Sequence, residues 1–243
     1  MNENCDQFDH VGPDRAHFLR VAGLGLGAAF AGSPLAAAAA GAGPARGATT
    51  PAGALEELVS GDARFTAGTP ANCGSQTGRM AKLGEGQNPH AIILSCSDSR
   101  VPNDTIFDQR PGNIFGVRIA GNYVTNDGLG SMEYGVAVLK ALVIVVLGHS
   151  GCGAVKAALG FVKDGTTVPG HIQDVVAAVA PAAKATKGQP GDWLDNAIAE
   201  NVRMNVKALT ARSQILSDAE KNGTIKIVGG VYNIGAAKVT FLS

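Results

Sequence analysis

Short apolar runs alternate with longer amphipathic stretches along most of this chain. The apolar runs His90–Cys96, Ile114–Ile119 (IFGVRI), Ala141–Leu147 (ALVIVVL), Ile225–Val231 (IKIVGGV) and Lys238–Leu242 (KVTFL) are short and rich in branched residues. They read as strands, and ALVIVVL, apolar almost throughout, reads as one buried on both faces. Helical spacing predicts a first helix over Ala52–Ala67 and a short piece around Met80. Further helices are expected at Gly128–Lys140, Ala154–Lys163 and His171–Ala183, with a long one from Trp193 to Asn222. Strands that alternate with helices imply a parallel sheet with crossover helices. Only YNIGAA joins the last two strands, a link too short for a crossover, so the last strand turns back antiparallel. The expected fold class is α/β: a mostly parallel sheet of four strands plus an antiparallel C-terminal strand, flanked by helices.

The first 48 residues are different material. Arg15 and Arg20 flank RAHFLR, and Val21–Gly43 then runs without a charge, mostly Gly and Ala. A basic start, a short apolar stretch and small residues after it make an export signal, with cleavage expected between Ala36 and Ala48. The stretch resembles a twin-arginine signal in Phe18, Leu19 and Arg20, but Ala16 stands where the second arginine belongs. The rival reading is an uncleaved membrane anchor, which so Gly- and Ala-rich a run would make a weak one. The expected organisation is thus 1–48 as signal peptide and linker and 49–243 as one domain, exported to a periplasmic or extracellular space.

Composition narrows the function classes. Of 243 residues, 45% are hydrophobic and 16% charged, enough for one buried core and too little charge for a disordered chain. Lys plus Arg and Asp plus Glu both total 20, and no basic stripe carries aromatics, so no nucleic-acid partner is expected. The four cysteines (Cys5, Cys73, Cys96, Cys152) are too few and too irregular for a disulfide framework.

The chemistry gathers at two predicted strand ends, where open parallel sheets place their ligands. One end reads CSDSR, with Cys96, Asp98 and Arg100 at alternate positions; the other reads GHSGCG, with His149 and Cys152. If the two strands are neighbours, two thiols, an imidazole and a carboxylate converge. Cys, His and Cys suit zinc and leave a fourth position open. Asp98 is the fourth candidate, and it can instead pair with Arg100 and stay ionised. Were the extended conformation to persist past Cys96, the three alternate residues would share a face.

At these residues the chain resembles the beta-class carbonic anhydrases, which carry C-x-D-x-R and, some fifty residues on, H-x-x-C. The likeness extends to GQNP (Gly86–Pro89), FDQRPGNIFGVRIAGN (Phe107–Asn122), SMEYGVAVL (Ser131–Leu139) and the closing IVGGVYNIGAAKVTFL, and so covers roughly Ala54 to Leu242. The resemblance implies an enzyme that interconverts carbon dioxide and bicarbonate with one Zn2+ per chain. It implies Cys96, His149 and Cys152 as ligands, and Asp98 held by Arg100 as the catalytic acceptor, able in some members to swing onto the metal. It also implies Gln87, given across a dimer interface, as a substrate-binding residue, Phe115 and Tyr134 as lining of an apolar pocket, and assembly as a homodimer or a multiple of dimers. The tryptophan that one subclass uses for a second bicarbonate site is Ile93 here. Two other functions use the same residues: hydrolysis of carbon disulfide or carbonyl sulfide, and bicarbonate binding without turnover. His90 and His171 are proton-shuttle candidates by residue type alone.

Overall fold

The computed structural model describes residues 47–72 and 76–242. Cys73 and residues 1–46 of the expected signal and linker lie outside them. A five-stranded sheet runs β2-β1-β3-β4-β5, with β1 (Ala91–Ser95), β2 (Ile114–Arg118), β3 (Val143–His149) and β4 (Lys226–Asn233) parallel and β5 (Lys238–Leu242) antiparallel to β4. This is the sheet that the pattern of apolar runs predicts. Alternation along the central strands sorts the core into two faces. Ala91, Ile93, Val143, Val145 and Leu147 pack with Ala54 and Leu58 of α1 (Pro51–Thr66) and Ile106 of α3 (Asn103–Ile106). Ile92, Leu94, Ile144 and Val146 pack with α4 (Asn126–Ala137), α7 (Trp193–Arg212) and α8 (Gln214–Lys221). The helices α5 (Gly153–Asp164) and α6 (Ile172–Thr186) extend that second layer beside α7, and α2 (Thr77–Leu83) lies in the connection to β1. Among the described residues, no helix is long and apolar enough to cross a membrane.

Two elements differ from the expectation. The stretch Trp193–Asn222 is two helices, because Ser213 leaves the helical conformation (φ −128°, ψ 116°). Its hydroxyl accepts the Leu216 N–H at 3.1 Å and donates to Glu133 Oε1 at 2.6 Å, so one side chain both caps α8 and ties it to α4. The single turn α3 has no periodicity long enough to be read from sequence.

The first helix is fastened to the C-terminal hairpin and to the turn after α3. Asp62 Oδ1 accepts the Val239 N–H of β5 at 3.0 Å, and Thr66 Oγ1 donates to Ala237 O at 2.7 Å. Just after α3, Asp108 takes Arg64 Nε at 2.5 Å and the N–H groups of Ala71 and Asn72 at 2.9 Å each. Burial alone would raise this carboxyl; the Ala71 N–H, Arg64 and the Asn72 N–H bring it below its ordinary value instead. A depressed folded value means that the carboxylate stabilises the fold above the unfolded value, about pH 3.9, and that this contribution fades as pH falls through the folded one. Asp108→Asn is expected to cost about 2 kcal/mol at pH 7. Urea unfolding at pH 7 and again near pH 2.5 should show the gap between the parent and this variant shrinking in acid.

Candidate metal site

The site is built where β1 and β3 end side by side. They pair in parallel with Ser95 opposite Leu147, so Cys96, the residue after β1, emerges beside His149, the last residue of β3. Three residues on, Cys152 occupies the N-cap of α5, and Gly151 between them takes φ +67°, which gives the tight turn. The ligand atoms of Cys96, His149 and Cys152 lie within 4.8 Å of one another, and all three residues are buried. Donors around a tetrahedral zinc stand about 3.5–4 Å apart, so small movements bring these three onto one ion.

Each donor is prepared locally. His149 Nδ1 lies 3.1 Å from Ser150 O, which places a proton on Nδ1 and leaves Nε2 with a bare lone pair. That buried Nε2 has no hydrogen-bond partner in the protein. A buried imidazole nitrogen facing two sulfurs is what a thiolate–imidazole metal site needs. The Cys96 thiol is pushed down, first by its hydrogen bond with Cys152 and then, against burial, by His149 and the N–H groups of Gly121 and Asp98. The Cys152 thiol is pushed up by the same bond to Cys96 and by burial, although the Val155 and Ala154 N–H groups at the start of α5 oppose this. The two sulfurs share one hydrogen bond, and Cys96 and Cys152 would both serve as thiolates toward a bound divalent cation. The donor set therefore fits zinc.

Asp98 stands on Arg100, not among the converging ligand atoms. Arg100 donates to it from Nε (2.9 Å, Oδ1), from its terminal nitrogen (2.7 Å, Oδ2) and from its backbone N–H (2.9 Å, Oδ1). The Arg100 side-chain hydrogen bonds hold the Asp98 carboxyl well below the usual carboxylate range. Oδ2 is also 3.9 Å from His149 Nε2, so the carboxylate faces the donor cluster. Since the Arg100 side chain is 56% exposed, this pair orients the carboxylate more than it stabilises the fold. The shared strand face expected for Cys96, Asp98 and Arg100 is not what unites them. The strand stops at Ser95, Val101 N–H donates to Asp98 O, and the pair is made by a local turn of the kind aspartate favours.

Other expected site residues lie elsewhere in the chain. Phe115 is opposite Ile92, four residues back along the sheet from Cys96, about 13 Å at strand rise. Its ring meets Tyr134 at 6.3 Å between centroids. Tyr134 is 48% exposed among the described residues. Gln87 lines a recess with Leu83, Pro111 and Gly112 at the amino end of the sheet. His90 is buried before β1 with Nε2 3.5 Å from Glu57, and His171 is a surface residue paired with Asp174.

Sequence reasoning missed Arg118. At the end of β2 it donates to Cys96 O at 3.1 Å and to Asp98 O at 2.6 Å, and so clamps the backbone that carries both residues. The signal was present: a cation at the carboxyl end of a strand beside β1, inside IFGVRI.

The fold and cluster define a class: an α/β protein with a thiolate–imidazole site at the carboxyl edge of a parallel sheet. The family profile described as carbonic anhydrase matches residues 91–239. Carbonic anhydrase 2 of Mycobacterium tuberculosis (strain H37Rv) is 41% identical over 186 residues, covering 76% of this chain and 90% of that protein. A carbonic anhydrase of Mycolicibacterium smegmatis is 38% identical over 195 residues, 80% of this chain and 95% of its own. Among solved structures, a tetrameric beta-carbonic anhydrase of Sordaria macrospora is similar with a TM-score of 0.61 at 25% identity, covering 68% of this chain and 85% of that one. The Coccomyxa beta-carbonic anhydrase in complex with acetazolamide gives 0.59 at 27% identity, covering 77% and 81%. The chain belongs to the carbonic anhydrase family, in its beta class, and is a lyase of that kind.

Replacing Arg118 by Met keeps the length of the side chain and removes both clamps. The expected result is about a tenfold loss of kcat with metal content unchanged, read by hydration kinetics and metal analysis.

Proposed function

We propose that the protein hydrates carbon dioxide reversibly to bicarbonate and a proton, with one zinc ion per chain held by Cys96, His149 and Cys152. The observation that carries this reading is the convergence of those three buried donors beside an Asp98 that Arg100 keeps ionised. Zinc, when bound, supplies the Lewis acidity that makes water ionise near neutral pH. Asp98 accepts a hydrogen bond at Oδ2 and so aims the attacking water, while Arg100 keeps the carboxylate directed and deprotonated. His149 holds its proton at Nδ1 on Ser150 O, which keeps the ring oriented. Carbon dioxide is small and apolar, so it needs little more than a dry pocket, and Gln87, Phe115 and Tyr134 of a partner subunit would line it. Within one chain Gln87 and Phe115 stand away from the cluster, which supports a site completed by a second copy, a homodimer or a multiple of dimers. The exposed Tyr134 supports the same assembly. The uncharged run after Arg20 supports export of the mature domain, with the leader removed.

Purified protein should carry about one zinc per chain and hydrate carbon dioxide. Asp98→Ala should lose on the order of 100-fold in kcat while keeping its zinc. Zinc-free protein, or zinc-loaded protein without hydratase activity at alkaline pH, would falsify the proposal. Light scattering of the mature domain should give a dimer or a multiple of one; a fully active monomer would exclude the shared site.

A further inference from the structure

Two buried asparagines of α7 hold the loop that touches Cys96. We infer that Asn201 and Asn205 are positioning residues of the metal site, acting on Cys96 Sγ through the Gly121 N–H. The inference rests on the zinc reading of the cluster and deepens it.

The Gly121 N–H donates to Cys96 Sγ at 3.4 Å. A hydrogen bond to a thiolate draws electron density from the sulfur. A site with two thiolates is electron-rich, so each such bond preserves Lewis acidity that the sulfurs would otherwise quench. The bond depends on where the loop after β2 runs, and the loop has little shape of its own. Gly121 sits at φ +81°, and a Cβ there would come within 2.9 Å of Val179 Cγ2 and 3.2 Å of Ala154 Cβ. Helices α5 and α6 therefore press on the loop from one side, and α7 holds it from the other.

The grip of α7 is polar and fully matched. Asn201 Nδ2 donates to Gly121 O at 2.8 Å. Asn205, one turn on, donates from Nδ2 to Asn201 O at 2.8 Å and to Asn201 Oδ1 at 3.1 Å, while Val124 N–H donates to its Oδ1 at 2.8 Å. With Asn201 Oδ1 accepting from Asn205, its Nδ2 is left to face Gly121, so Asn205 orients the amide that Asn201 presents. The two residues are 2% and 8% exposed. Further along α7, Arg212 donates to Val124 O at 2.6 Å and to Asn126 Oδ1 at 2.8 Å. Asparagine is a poor helix former, and apolar side chains would pack these two buried positions of α7 more simply. What the pair adds is a fixed placement of Gly121, held at its carbonyl, and with it the direction of the N–H that donates to sulfur.

The test uses the full protein loaded with cobalt(II) in place of zinc, whose thiolate-to-metal charge-transfer band reports the electron density on sulfur. Asn201→Leu is compared with the parent, with Asn201→Ala and with Leu209→Ala, a core change elsewhere on α7. The expected result is a charge-transfer band shifted to lower energy in Asn201→Leu and, less strongly, in Asn201→Ala. In both variants kcat should fall, by about tenfold in the leucine variant, with KM little changed. Leu209→Ala should lower the melting temperature and leave the band in place. If Asn201→Leu does not fold, Asn201→Ala carries the comparison. A band at the parent's position in folded Asn201 variants, or an equal shift in Leu209→Ala, overturns the inference and leaves the zinc reading standing. A cobalt-loaded parent with no thiolate band overturns the zinc reading and this inference with it.

Discussion

Everything at the metal site depends on the parallel register between β1 and β3. Ser95 lies opposite Leu147 and β3 runs two residues further, so the first residue past β1 and the last of β3, Cys96 and His149, come out together. A slip of one residue would turn each strand's apolar set to the other layer of helices. Because Ile92, Leu94, Ile144 and Val146 are buried on one face, and Ile93, Val143, Val145 and Leu147 on the other, the core itself forbids that slip. The hydrophobic packing of two layers thus sets the spacing of three polar donors that none of those apolar residues touches chemically.

The remaining elements supply direction at the place that the register fixes. The start of α5 offers N–H groups to Cys152, the Ser150 carbonyl fixes the tautomer of His149, and Arg118 clamps the backbone on either side of Ser97. Arg100 then takes both oxygens of Asp98. These contacts come from different strands and turns, so the arrangement exists only when the sheet is complete.

The five strands and their order of directions were legible because apolar runs of this length, separated by helical spacing, admit few alternatives. Cys96, His149 and Cys152 were legible because of what they are and because both motifs follow such runs. The pairing of Asp98 with Arg100 was legible too, but not its means: the strand does not continue past Ser95, and an aspartate-led turn brings Arg100 back onto Asp98. Arg118 carried a weak signal, since its value lies in which strand neighbours β1. Asn201 and Asn205 carried none, because two polar residues inside a long helical pattern look like solvent-facing positions until the loop beneath α7 is seen. Ser213 likewise broke a helix through a partner, Glu133, that is distant in the chain.

The fastening of α1 to β5 bears on how the domain carries load. Asp62 and Thr66 join the first helix to the strand at one margin of the sheet, while Cys96 and His149 belong to strands in its interior. A pull applied at the amino end, such as a tether on the segment before residue 47 would exert, is borne first by α1. Ala54 and Leu58 of the same helix pack on β1 and β3, so strain entering there divides between the donor strands and the β5 margin, and the anchorage of α1 bears on the spacing of the metal-binding side chains.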